Sequence, residues 1–253
     1  MKARIEDGVV YSPYPPIDIP VCSFYALAKE VLLTNPEKTA LVDDVASVTR
    51  AEVLSRMRRY AVGFRRNGIS AGDRVCVHLK NSVENLLALY GCILAGATVV
   101  LAKASLQESE LCYQASDSDS VFILTEGLFC MGDTSGFVSA ADFPQLDENE
   151  YQEYPIADPK STVLAVCYTS GSTGMPKGVE MTHYSYVASF YTTSRSDTVN
   201  ELLAKLIQEY LPARRDRDPV TQLPDCRGPP CTELDEDIST GEVRQAVLAL
   251  NCE

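Results

Sequence analysis

The sequence predicts an α/β fold in which a mostly parallel sheet carries helices on both faces. Three observations predict it. Almost continuously apolar, β-branched runs recur at 74–79 (RVCVHL), 98–102 (TVVLA), 120–125 (SVFILT) and 163–167 (VLAVC). Strands of that kind are buried on both faces, as they are in parallel sheets. Segments of helical length, 83–95 and 105–115, separate the first three runs, which is the alternation of βαβ units. Of the 253 residues, 45% are hydrophobic and 23% charged, so the chain has enough apolar surface to build a core.

Taken in order, residues 13–20 are rich in Pro and predict an extended arm. The spacing over 23–33 predicts a helix with Ser23 as its N-cap. A short strand is expected at 39–42. In RAEVLSRMRRYAVGFRR (50–66), Val53, Leu54, Met57, Tyr60, Ala61 and Phe64 fall on one helix face and the Arg and Glu residues on the other. Gly68 is the expected C′ residue, and the basic face is expected to be solvated. The strand at 74–79 follows, with His78 packed inside it or at an edge. Then come the helix at 83–95, the strand at 98–102, a helix over 105–115 capped by Ser105, and the strand at 120–125.

The pattern then stumbles. GLFCM (127–131) has strand character yet follows SVFILT almost directly, whereas parallel strands need a crossover of roughly a dozen residues. Either the two runs form one bent strand or an antiparallel pair, or a crossover helix has been lost. Residues 136–143 and the acidic stretch 147–158 are expected to be surface connection before the buried strand at 163–167.

Charge and cysteine usage narrow the function. The net charge of −13 argues against a nucleic-acid binder. Nine Cys, odd in number and scattered, with two His, give neither a disulfide framework nor a zinc spacing. A reducing compartment, the cytoplasm, is expected. Cys226 and Cys231 flank Pro229-Pro230 and have no second pair, so no metal is assigned to them. Residues 1–20 lack the apolar core of an export signal. The longest uncharged run, 86–102, falls short of the ~20 residues of a membrane span. With Gly91 and Gly96 inside it, it is expected to be a helix, a glycine turn and a strand.

The chemistry lies directly after the 163–167 strand, in YTSGSTGMPKG (168–178). Gly171 and Gly174 allow backbone N–H groups to approach an anion. Thr169, Ser170, Ser172 and Thr173 add hydroxyl donors, and Lys177 adds a mobile positive charge. This order of residues points to phosphate binding. It is not the G-x-x-x-x-G-K-[ST] of a P-loop: counted from Gly171, Pro176 stands where the second Gly belongs, and Gly178 follows the Lys. A helix is expected to open around His183.

YTSGSTGMPKGVEMTH resembles the AMP-binding signature of the adenylate-forming superfamily of acyl-CoA synthetases, coumarate–CoA ligases and luciferases. GDRVCVHLKNSVENLLALYGCILAGATVV and LQESELCYQASDSDSVFILT resemble the segments that precede it there, so that the resemblance spans residues 9–194. The luciferase-like and coumarate–CoA-ligase-like branch is ranked nearest, and carrier-linked adenylation modules further away. The resemblance implies the N-terminal domain of that fold. It also implies a reaction in which a carboxylate attacks the α-phosphorus of ATP, giving acyl-AMP and pyrophosphate, after which a thiol, usually coenzyme A, displaces AMP. ATP, Mg²⁺ and CoA are the implied cofactors and a carboxylic acid the implied substrate. The implied phosphate-binding residues are Thr169, Ser170, Gly171, Ser172, Thr173, Gly174 and Lys177; His183 is implied to be structural.

The sequence departs from the family after Phe190, where blocks for adenine, ribose, acyl group and CoA are not found. A complete member is roughly twice as long and often ends in a peroxisomal tripeptide, whereas this chain ends Asn-Cys-Glu. An internal deletion is expected near Glu126. The expected division is a partial AMP-binding domain over 1–194 and a largely disordered, unrelated tail over 195–253. Helical patterns stand at 201–211 and 238–250, and TELDEDISTGEVRQAVLALN resembles a linker upstream of non-LTR retrotransposon reverse transcriptases. Three functions stay open: an inactive fragment of an acid–CoA ligase, a non-catalytic ATP-binding protein, and an unstable fusion.

Overall fold

The computed structural model describes residues 4–11, 16–126, 128–131, 138–169 and 175–194. An exposed hairpin of β1 (Arg4–Glu6) and β2 (Val9–Tyr11), absent from the sequence expectations, comes first. Helix α1 (Phe24–Leu33) begins where predicted, with Ser23 Oγ accepting from Ala26 N at 3.1 Å. Strand β3 (Thr39–Val42) pairs antiparallel with β4 (Ser47–Thr49) in a second small sheet. Helix α2 (Arg50–Arg66) opens on a capping box in which Thr49 and Glu52 satisfy each other's backbone N–H. Gly68 follows it at φ +100°. Next come β5 (Arg74–His78), α3 (Val83–Ala95) capped by Ser82, and β6 (Thr98–Ala102). Gly96 makes the turn between the last two in the left-handed region at φ +102°. The apolar run 86–102 is thus the predicted helix, turn and strand. Among the described residues no helix is long and apolar enough to cross a membrane.

Helix α4 (Glu108–Asp117) starts three residues later than expected. Ser105 is not its cap. Glu110 Oε2 accepts from Gln107 N at 2.8 Å and fixes the first turn there. Strand β7 (Phe122–Thr125) then resolves the missing crossover: β8 (Leu128–Met131) returns antiparallel beside it, Thr125 opposite Leu128 and Phe122 opposite Met131. Glu126 takes φ +30° in the turn. Strand β9 (Val138–Ser139) pairs with β8, and two 3₁₀ turns follow at Phe143–Gln145 and Glu148–Glu150. β10 (Val163–Thr169), β11 (Lys177–Thr182) and α5 (His183–Ser194) complete the described chain. The tail from 195 onward, with its two helical patterns, lies outside the described residues.

One seven-stranded sheet runs in the order β11-β10-β6-β5-β7-β8-β9. The four inner strands β10, β6, β5 and β7 are parallel, and β11, β8 and β9 are antiparallel additions at the edges. Val75, Val77 and Val99 pack in one core with α1, α2 and α3. Cys76, Val100 and Val166, their alternating neighbours, are buried outside that cluster, on the face where α4 meets Tyr168. The connection from β5 to β6 therefore leaves on the α3 face, and the one from β6 to β7 on the α4 face.

Helices α2 and α3 pack closely at Gly91, where a Cβ would stand 2.3 Å from Tyr60 Cβ. The basic face of α2 is not simply solvated, contrary to expectation. Arg59 Nη1 donates to Pro144 O at 2.8 Å, Arg65 reaches Leu94 O, Ala95 O and Gln152 O, and Arg66 pairs with Glu150. These arginines hold down the 143–152 connection, and Phe143, expected at the surface, is buried against Phe64 and Tyr60.

Candidate functional site

The glycine- and hydroxyl-rich segment leaves the carboxyl end of β10 and returns as β11, Thr169 opposite Lys177. Ser170, Gly171, Ser172, Thr173 and Gly174 lie outside the described residues, so of the predicted phosphate-binding set Thr169 and Lys177 can be placed. They sit side by side at the base of the loop, with Thr169 Oγ1 donating to Lys177 O at 3.4 Å. Both are exposed. The Lys177 ammonium has no ion pair among the described residues. A solvated cation beside a loop at the carboxyl ends of parallel strands is where an α/β sheet receives an anionic ligand.

Helix α4 grips both stalks of the loop. Tyr113 Oη donates to Pro176 O at 3.1 Å on the returning side. Tyr168 Oη, on the outgoing side, donates to Asp117 Oδ2 at 2.6 Å, with Gln114 O at 3.3 Å. The two rings meet edge-on with centroids 6.4 Å apart. Desolvation first, then the Asp117 hydrogen bond and charge, raise the Tyr168 phenol well above its ordinary value, so it remains a donor. No local pattern signals this clamp. Tyr168 opens the motif, but Tyr113 and Asp117 lie some fifty residues upstream in a helix whose sequence does not single them out.

Helix α5 opens at His183 as expected, but six residues of β11 separate it from the loop. Its N-terminus lies beside the start of β10, where Thr182 pairs with Val163. At ~3.3 Å per residue that is the far end of the hairpin, so the loop does not borrow the helix's positive end. His183 is buried, and its Nδ1 accepts from Phe24 N at 3.1 Å. Burial lowers its pKa from 6.5 to about 4, and the neutral ring ties α5 to α1. This is a structural role, as predicted. His78 ends the central strand β5, and its Nε2 is buried with no hydrogen-bond partner among the described residues.

A second feature has no counterpart among the sequence expectations. On the α3 face a cavity of about 360 Å³ opens beside the carboxyl ends of β5 and β6. Its walls are apolar, and Lys80, Asn81, Ser82 and Lys103 line its polar side. β5 and β6 are neighbours whose outgoing connections leave on opposite faces, so the cavity lies at the switch point of the sheet.

A family model described as AMP-binding enzyme matches residues 29–211. A 2-succinylbenzoate–CoA ligase of Bacillus subtilis is 33% identical over 158 residues, which cover 59% of this chain and 32% of that protein. A linear gramicidin synthase of Brevibacillus parabrevis is 32% identical over 166 residues, 64% of this chain and 3% of that protein. A solved long-chain-fatty-acid–CoA ligase of Archaeoglobus fulgidus shares the fold at a TM-score of 0.60 and 21% identity, over 70% of this chain and 40% of that one. The chain spans about a third of the length of the Bacillus subtilis ligase that it matches.

Proposed function

The chain belongs to the AMP-binding enzyme family, and from that premise we propose that its β10–β11 loop grips the triphosphate of ATP for the activation of a carboxylic acid to an acyl adenylate and then a CoA thioester. The observation that carries this reading is Lys177, without an ion pair among the described residues, beside Thr169 at the base of a loop braced by α4. Thr169, Ser170, Gly171, Ser172, Thr173, Gly174 and Lys177 form the proposed grip. Preorganised donors and a cation placed where phosphate charge develops are what such a step requires of a protein.

The donor set fits phosphate oxygens. It does not extend to a magnesium cage: no cluster of acidic, His or Cys side chains capable of holding a metal occurs among the described residues, and Asp117 is engaged by Tyr168. No step is assigned to the metal, and no residue to CoA.

Acid-dependent exchange of labelled pyrophosphate into ATP tests the activity. Exchange with one of a panel of fatty and aryl acids, lost in Lys177→Ala, supports it. A second reading, nucleotide binding without turnover, predicts saturable ATP binding and no exchange. We also place the boundary of this unit at 194, with 195–253 a tail of retrotransposon-like origin. Since the family match runs to 211, limited proteolysis tests that boundary: first cleavage near 194 supports it, and protection through 211 overturns it.

A further inference from the structure

We propose that Lys103, the residue after β6, is a second cation of the phosphate site and closes on the same polyphosphate as Lys177 from the other side of Thr169. This rests on the phosphate-loop reading above and extends it to a strand outside the glycine- and hydroxyl-rich segment. Register puts the three residues in one row. β6 and β10 run parallel, with Val99 beside Ala165 and Leu101 beside Cys167. Two residues further on, Lys103 and Thr169 stand side by side where the chain leaves the sheet. On the other side of β10, Thr169 pairs with Lys177 of β11.

Side chains two residues apart on a strand share a face, and so do cross-strand partners. Val99, Leu101 and Ala165 line the α3-face cavity together with Met181, the partner of Ala165. Lys103 lines it too, while Thr169 and Lys177 continue the same alternation from Ala165 and Met181. The row Lys103, Thr169, Lys177 therefore lies on one side of the sheet. With strands about 4.8 Å apart, the two lysines stand about 10 Å apart at the backbone, and each ammonium rides on a flexible four-carbon stem that reaches over Thr169. Both are exposed and neither has an ion pair among the described residues. Asp43, the carboxylate of the cavity lining, is held at the start of α3 by Val83 N and forms no ion pair with Lys103. Two cations converging over one hydroxyl match an anion with charge on adjacent groups, as in a di- or triphosphate. Lys80, also exposed and in the lining, is one residue out of the row: Val77 pairs with Leu101, so Leu79 is level with Lys103.

The test is calorimetric titration of the full chain with ATP and magnesium, and with inorganic tripolyphosphate, at low and at high salt. Lys103→Gln should bind both about fivefold more weakly, and Lys103→Arg should restore the affinity. The gap between the parent and Lys103→Gln should narrow as salt rises, which a merely structural role would not produce. Lys80→Gln should leave the affinity close to the parent's. Thermal melts confirm that each variant folds. Parent-like binding by Lys103→Gln while Lys177→Ala loses it would overturn the role of Lys103 and leave the loop reading standing. An equal loss in Lys80→Gln would also overturn it, because general charge and not register would then be at work. A folded parent chain that binds neither ATP nor tripolyphosphate would overturn both.

Discussion

Replacing Tyr113 by Phe removes one hydrogen bond, from its hydroxyl to Pro176 O at 3.1 Å, and leaves the ring in place. A neutral hydrogen bond contributes about 0.5–1.5 kcal/mol. Pro176 is only half-buried, so its carbonyl can rehydrate and no orphan penalty is added. The bond joins α4 to the stalk that carries Lys177. If the grip on a triphosphate needs that stalk held, the loss weakens ATP binding by up to about 1 kcal/mol, or about fivefold in Kd. Tyr168→Phe removes the 2.6 Å bond to Asp117. A charged acceptor raises such a bond to about 1.5–3 kcal/mol, but Asp117 is exposed and screening returns the effect to about 1 kcal/mol. Both substitutions act on one loop, so their effects on affinity should not simply add. Calorimetric titration with ATP and magnesium, beside urea melts, reads affinity and stability separately. If both variants bind ATP as the parent does while Lys177→Ala does not, α4 does not position the loop and the clamp is only packing.

Other outcomes follow from the core and its titration. Gly91→Ala in α3 gains about 1 kcal/mol of helix propensity but drives a Cβ to 2.3 Å from Tyr60 Cβ. Overpacking of this kind costs about 1–3 kcal/mol or more, so a net loss in the urea midpoint is expected, and a gain would contradict the α2–α3 packing. His183, neutral in the fold down to about pH 4, is protonated in the unfolded chain below pH 6.5. The unfolded state thus binds more protons between those values, and stability falls as pH falls. At about 1.4 kcal/mol per unit, a drop from pH 7.5 to 5.5 should cost about 1 kcal/mol. His183→Asn should abolish that dependence, and a parent chain without it would refute the buried neutral ring.

The fold was legible in the sequence where burial on both faces left one choice. RVCVHL, TVVLA and VLAVC could only be inner strands, and Gly96 could only turn the chain between α3 and β6. It was ambiguous where a turn decides direction. Residues 122–131 fit an antiparallel pair, a bent strand or a lost crossover, and pairing alone selected the first. Short elements left no signal: β1, β2 and β4 are three residues each, too brief to show a period. The site was half legible. The loop carries its chemistry in adjacent residues, but the clamp from Tyr113 and Asp117 is a tertiary contact with no local trace. The cavity was invisible because its lysines follow different strands and meet only through the topology.

That Lys177 and its loop hold the phosphates of ATP can be tested without turnover, by equilibrium dialysis of the folded chain against labelled ATP with magnesium. Saturable one-to-one binding is predicted, weakened more than tenfold in Lys177→Ala, since a charge-assisted contact contributes about 1.5–3 kcal/mol. A cooperatively folded chain that retains no ATP, or one that retains it equally well without the Lys177 ammonium, would contradict that role.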